Sequence, residues 1–278
     1  MEETATNTAP KTHPQLKRAG KGLLIVAVAL VLFGWLLNTP PGLLGKADAI
    51  GYAVCHQIDV RSFHLGDRPI SLCARCTGMY LGALVGLLYQ FLRGRRRGTP
   101  PIWMMVVFGV FIAAFGVDGT NSYLKLLLGS SPLYEPNNIL RLITGTGMGL
   151  TISAALYPAY QGTVWRRSSP RPALETWKDL LGLLGLSAIV ILLVLSENPL
   201  ILYPLALLSA GTVLLILTIV YGMLWMFIFR VENTLEKPTQ LVWPLLGGLL
   251  IGLMQIGLID LGRYLLTGTW EGFHIFLG

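Results

Sequence analysis

Charge is what this chain has least of. Asp, Glu, Lys and Arg make 13% of its 278 residues, apolar types make 53%, and mean hydropathy is +0.62. A water-soluble domain carries about 25% charged residues, so a soluble globular protein is excluded. Cysteine and histidine are scarce too, at three and four. An odd number of cysteines excludes a framework made only of disulfide pairs. There is no Gly-rich phosphate loop or nucleotide motif, so nothing suggests ATP. Two matching halves with interrupted hydrophobic segments, the pattern of many secondary transporters, are missing as well. The net charge of +7 does not point to nucleic acid, because basic residues kept in cytoplasmic loops give a membrane protein the same excess.

What remains is apolar sequence in long runs. They lie at Gly22–Leu37, Leu72–Leu92, Ile102–Val117, Ile139–Tyr157, Leu180–Ser196, Leu200–Phe229 and Leu241–Leu261. Each is near or above the roughly 17–25 residues that cross a hydrocarbon core. They predict an all-α, polytopic integral membrane helix bundle of about seven transmembrane helices. It forms a single transmembrane domain over residues 20–278, behind a disordered cytoplasmic tail at residues 1–19. With the N-terminus inside, fourteen of the 21 Lys and Arg fall in inner segments, the "RGRRR" run from Arg93 to Arg97 among them. That asymmetry predicts N-inside, C-outside, in the cell (inner) membrane. Glycines recur every four residues at Gly78, Gly82 and Gly86, at Gly145 and Gly149, and at Gly248 and Gly252. Small residues at that spacing let helix backbones approach closely in lipid, which places the second span in the middle of a tight bundle.

All three cysteines sit in one stretch, "CHQIDVRSFHLGDRPISLCARCTGMYLG", from Cys55 to Gly82. Cys73 and Cys76 form C-x-x-C at the outer end of the second span, on one helical face. The "GDRP" segment, Gly66–Pro69, has the residues of a tight turn, and folding back there brings Cys55 and His56 over Cys73 and Cys76. Three thiolates and an imidazole match a tetrahedral Cys3His zinc site. His64 is the alternative fourth ligand, and copper(I) the alternative metal. A thiol redox site is the rival reading. Its C-x-x-C lies on the side where disulfides persist, with a helix N-terminus and Arg75 favouring thiolate. Quinone-linked thiol oxidases use a second cysteine pair, and this chain offers only Cys55. A structural cap of inert thiols is the third reading.

The residues "CHQ…RSF…G…P…CARCTGMYLG" resemble the signature of a multi-pass membrane family of bacteria and archaea, domain of unknown function 2085. A second patch follows at Asp118–Asn121 ("DGTN") and Asn137–Gly145 ("NNILRLITG"). The resemblance spans roughly residues 52–145 and implies Cys55, His56, Gln57, Arg61, Ser62, Phe63, Gly66, Pro69, Cys73, Arg75, Cys76 and Gly78 as signature residues. It favours His56 over His64 and implies no activity. The helices at 180–264 carry no motif. Arg61-x6-Arg68-Pro69 imitates the first phosphate-binding motif of a family of lipid phosphatases, whose two further motifs do not occur here.

Other polar residues gather at the same outer level. Asp118 and Asn121 are expected to end the third span, Glu135, Asn137, Asn138 and Arg141 to begin the fourth, and Asp260 and Arg263 to form an i, i+3 pair near the end of the seventh. Ionisable groups at this depth are costly and usually face a cavity or a partner. Arg141 is expected to pair with Asp118 or Glu135 or to bind an anion. Asp118 and Glu135 are the acid–base candidates if the protein is an enzyme. The expectation is therefore an extracytoplasmic Cys/His metal site beside a polar pocket, with the bilayer as surroundings and a membrane-embedded or lipid-borne substrate. A thiol–disulfide oxidoreductase, and a transporter or accessory subunit with a purely structural cluster, are the alternatives.

Overall fold

The structure, a computed structural model, describes residues 14–131 and 133–272, with side chains from Gly20 onward. The described residues form eight α-helices: α1 (Pro14–Asn38), α2 (Gly42–Val54), α3 (Ala74–Phe91), α4 (Ile102–Leu128), α5 (Asn138–Val164), α6 (Trp177–Leu195), α7 (Pro199–Ile228) and α8 (Val242–Thr267). Two short strand pairs join them. β1 (His64–Leu65) and β2 (Arg68–Pro69) form an antiparallel hairpin, and β3 (Arg96–Gly98) lies parallel to β4 (Ser169–Pro172). Six helices, namely α1 from Gly20, α4, α5, α6, α7 and α8 with the turn before it, are long and apolar enough to cross a membrane. Large apolar side chains cover the outside, Leu30, Leu192 and Leu266 among them. An all-α membrane helix bundle is the result.

The expected second span is α3. At 18 residues it is about 27 Å long, but it is not one of the six apolar spans, and it is enclosed by protein. It packs on α5, α6 and α7, and so it can bury Thr77 and Gln90. Gln90 is satisfied there, donating to the carbonyls of Gly86 and Ser153. Helix α2 was not expected. Its 13 residues are too few to span, and its small side chains read as a loop. It forms because Ala47, Ala49 and Gly51 let it lie against α7 and α8. Helix α1 begins at Pro14, inside the stretch expected to be a tail; residues 1–13 lie outside the described residues. Helix α4 runs to Leu128, where Gly129 closes it in the left-handed conformation (φ 72°). Asp118 and Asn121 therefore lie within α4 rather than ending it, since both are buried with partners and give the helix no reason to stop.

Glycine brings α3 and α5 together; the fourfold spacing predicted close packing, and the structure supplies the pair. A Cβ at Gly78 would collide with the Leu142 carbonyl, one at Gly82 would lie 2.5 Å from the Thr146 carbonyl oxygen, and Gly145 and Gly149 face Arg75 and Met79 in return. The order of these contacts makes the two helices parallel. Both N-termini thus lie at one end of the bundle, together with the α2–α3 loop. The basic run sits at the other end, where Arg93 pairs with Asp179 and Arg95 stacks 3.5 Å from the Trp165 ring centre.

Substituting Gly149→Val should push the α3 and α5 backbones apart at a site where a Cβ already meets Met79 and Ala83. The expected cost is at least the 1–3 kcal/mol or so of core overpacking, read as a lowered melting midpoint of the detergent-purified protein. Gly109→Ala, with nothing within 4 Å of the added Cβ, should leave the midpoint in place.

Candidate metal centre

Three sulfurs meet where α2 ends and α3 begins. Cys55 is the C-cap of α2, Cys73 the N-cap of α3, and Cys76 sits in the first turn of α3. Their Sγ atoms lie within 4.8 Å of one another, with Cys55 and Cys73 buried. The backbone between them is folded back by the β1–β2 hairpin, whose two-residue turn begins at Gly66 (φ 64°), a left-handed position that suits glycine. At the near end Gln57 holds the same left-handed conformation (φ 51°) without being glycine. Its side-chain amide clamps it there, donating to the Asp48 and Ser71 carbonyls at 3.0 Å each. Gly51 lies beneath this clamp, and a Cβ on it would run into the Ser71 carbonyl. Asp48 in turn accepts from Ser71 Oγ (2.7 Å) and pairs with Arg68. Sequence reasoning passed over Gly51 and Asp48, because both lie in the helix it did not foresee.

Backbone amides already point at sulfur. The N–H groups of Gln57 and Cys73 approach Cys55 Sγ at 3.5 and 3.3 Å, and such donors favour a thiolate. The thiols respond in opposite directions. Cys73 is held well below the usual thiol range, chiefly by hydrogen bonding from Cys55 and then Cys76. Cys55 is pushed up to about 12, chiefly by its hydrogen bond to Cys73. Opposite shifts in neighbouring thiols are what mutual hydrogen bonding and like-charge crowding produce. The donor set fits a soft or borderline metal: zinc–sulfur bonds of about 2.3 Å in a tetrahedron put sulfurs about 3.8 Å apart, within the span seen here.

The histidines stand differently. His56 interacts with Cys73 and accepts the Ile58 N–H on its Nδ1 at 3.1 Å. His64 meets Asp59 through Nε2 at 3.1 Å. Neither belongs to the close sulfur group. From α8, Arg263 Nη1 donates to the carbonyls of Tyr52 (2.6 Å) and Cys55 (2.8 Å), and its guanidinium lies 3.8 Å from the Tyr52 ring centre. Asp260, one turn earlier, accepts from the Trp35 indole at 3.2 Å.

Beside the sulfurs lies a polar frame. Asp118 is taken by Arg75, through Nε at 3.0 Å and through Nη2, and also accepts from Tyr134 (2.9 Å) and, at 3.5 Å, from Thr144. A carboxylate so fully engaged is a holder of Arg75, not a free base. Asn121 fixes the following loop through Tyr134 O and Leu133 N. Burial, then the hydrogen bond to Asp118, pushes the Tyr134 phenol up to about 12. Glu135 is exposed and paired with Lys125, whose hydrogen bond draws its carboxyl below the usual range. Arg141 meets neither acid: its Nη1 donates to Asn138 Oδ1 at 2.8 Å. Asn137 caps α5, accepting from Leu140 N–H at 2.8 Å.

A family model described as "Predicted membrane protein (DUF2085)" matches residues 55–155, starting at the first of the three sulfurs. An uncharacterised protein of Methanocaldococcus jannaschii is 32% identical over 121 residues, 43% of this chain and 71% of that relative. The chain belongs to the DUF2085 family. A second relative, an uncharacterised protein of Methanothermobacter thermautotrophicus, is 33% identical over 103 residues, 36% of this chain and 82% of its own length. No solved structure matches the chain. The family region holds all three cysteines, α3, α4 and most of α5, so in DUF2085 terms the matched part is the sulfur cluster, its arginine frame and the helices that carry them.

Asp118→Asn should leave the Arg75 guanidinium without its counter-charge. Breaking a buried pair in this way costs about 3–5 kcal/mol, read as a clear fall in melting midpoint. Glu135→Gln, at an exposed pair, should leave the midpoint unchanged.

Proposed function

We propose that the protein is a membrane-embedded metalloprotein whose centre, on the extracytoplasmic side, is a zinc ion held by Cys55, Cys73 and Cys76. One observation carries this reading: sulfurs from two segments, Cys55 and Cys73 being 18 positions apart, converge within 4.8 Å. Zinc suits three thiolates with one tetrahedral position left over, and copper(I) is the second candidate.

What fills the fourth position decides the chemistry. A ring nitrogen of His56 would close the site and make it structural. A water or substrate oxygen would let the metal act as a Lewis acid toward a membrane-embedded or lipid-borne substrate. The extracytoplasmic assignment is supported by charge: the basic run after α3 and the loop between α5 and α6 lie at the end opposite the sulfurs, where cytoplasmic retention of Lys and Arg would put them.

Elemental analysis of the detergent-purified protein, paired with a thiol count after denaturation in chelator, tests the centre. The expected result is about one zinc per chain and three free thiols, with Cys55→Ser losing the metal. No metal and a single free thiol would discard it in favour of a thiol–disulfide site. A phosphatase reporter fused after the last residue, active only outside the cytoplasm, tests the sidedness. It should be active, and a silent fusion would move the centre to the cytoplasmic face.

A further inference from the structure

Three arginines, Arg61, Arg75 and Arg141, gather at the N-terminal ends of α3 and α5, with Asp118 as the carboxylate paired to one of them. Arg75 and Arg141 project from the facing first turns of the parallel helices α3 and α5, joined where Gly145 meets the Arg75 backbone. Arg61 sits on the loop before β1, and Asn138 ties that loop to Arg141: its Nδ2 approaches the Val60 and Ser62 carbonyls at 3.3 and 3.4 Å, while its Oδ1 takes Arg141 Nη1. The three guanidiniums feel one another's charge, and Arg61 and Arg141 each also feel Cys73.

Counterions do not balance this group. Asp118 is committed to Arg75, Asp59 to His64 and Glu135 to Lys125. Arg141 is only 7% exposed, and its Nε has no hydrogen-bond partner among the described residues. A buried guanidinium with an open N–H is costly unless something negative meets it. Two parallel helix N-termini add their positive ends to the same place. Even with a thiolate at Cys73, three guanidiniums against Asp118 and one sulfur leave positive charge in excess, beside the open Nε–H of Arg141.

We propose that Arg61, Arg75 and Arg141 form an anion-binding site that takes a phosphate group, with two negative charges and oxygens that match guanidinium forks. The group is either free inorganic phosphate or the phosphomonoester headgroup of a lipid. The inference rests on the arginines and not on the metal reading.

The test uses the full chain in nanodiscs of phosphatidylcholine. Inorganic phosphate is titrated against the melting midpoint, with sodium chloride at equal ionic strength as the reference. In a second arm, phosphatidic acid replaces part of the phosphatidylcholine. A rise in midpoint with phosphate, or with phosphatidic acid alone, is expected; the first result marks the free ion as a ligand and the second a lipid headgroup. Arg61→Gln, at a half-exposed position that the fold tolerates, should weaken the apparent affinity at least about 10-fold, the loss expected of one charge-assisted contact. Arg141→Gln should do the same or more if it folds. Arg166→Gln, at an exposed pair with Glu236 on the far end, should change nothing. No rise in either arm, or a rise that Arg61→Gln leaves intact, overturns the proposal. Metal content measured on the same samples separates its failure from that of the zinc centre: loss of phosphate binding with zinc retained, or the reverse, each has its own reading.

Discussion

Backbone contact between α3 and α5 is the constraint on which the rest of the structure depends. Lipid gives helices no hydrophobic reason to associate, so close approach over small residues has to supply the attraction. Gly78 and Gly82 on one helix and Gly145 and Gly149 on the other let carbonyl oxygens sit where side chains would otherwise stand. The contact is parallel, and parallel helices put both N-termini, hence both positive dipole ends, at one level. Cys73, Cys76 and Arg75 then lie on one wall and Asn138 and Arg141 on the other. A shift of one turn between these helices would separate the arginines and carry two of the three sulfurs away from the third.

Charge at this end of the bundle is arranged around that wall. Arg75 is neutralised by Asp118 from α4, and Arg263 reaches from α8 to the carbonyls that close α2. Guanidinium groups so placed act through fixed forks rather than flexible stems, so they hold four helices and a hairpin in register around the sulfurs. Thiolates benefit from the same surroundings: Cys73, at the N-cap of α3, receives the helix dipole as well as nearby positive charge. A sulfur cluster and an arginine cluster side by side thus compensate one another in part, and each makes the other less costly to bury.

Much of this was legible in the sequence. Seven apolar runs pointed to the long helices, the four-residue glycine spacing to close packing around α3 though not to α5 as its partner, and the "GDRP" turn with the clustered cysteines to the meeting of Cys55 with Cys73 and Cys76. Helix α2 was not legible, because 13 residues of mostly small side chains carry neither a span's length nor a strong periodicity, and only the neighbouring α7 and α8 make it a helix. The partner of Asp118 was also hidden. Arg141 is as close in sequence as any candidate, but which arginine reaches Asp118 depends on the rotation of three helices about their axes, and that is fixed by packing. Gln57 was visible as part of the signature, yet its work as a clamp on its own left-handed backbone needs the carbonyls of Asp48 and Ser71, supplied by folding.

Histidine 56 shows how one hydrogen bond limits the chemistry of the centre. A backbone N–H can only donate, so the Ile58 contact makes Nδ1 an acceptor. A neutral ring then carries its proton on Nε2, and in that form Nε2 is a donor suited to a thiolate such as Cys73, not a metal ligand. Ligation through Nε2 would require the proton to move to Nδ1 and the Ile58 bond to break; ligation through Nδ1 would break the same bond. Either route sacrifices the contact that holds the residue after Gln57 in place. Three sulfurs without the imidazole would give a divalent metal a net charge of minus one and leave its fourth position to a ligand from outside the protein. Arg61, Arg75 and Arg141 would then offset part of that negative charge.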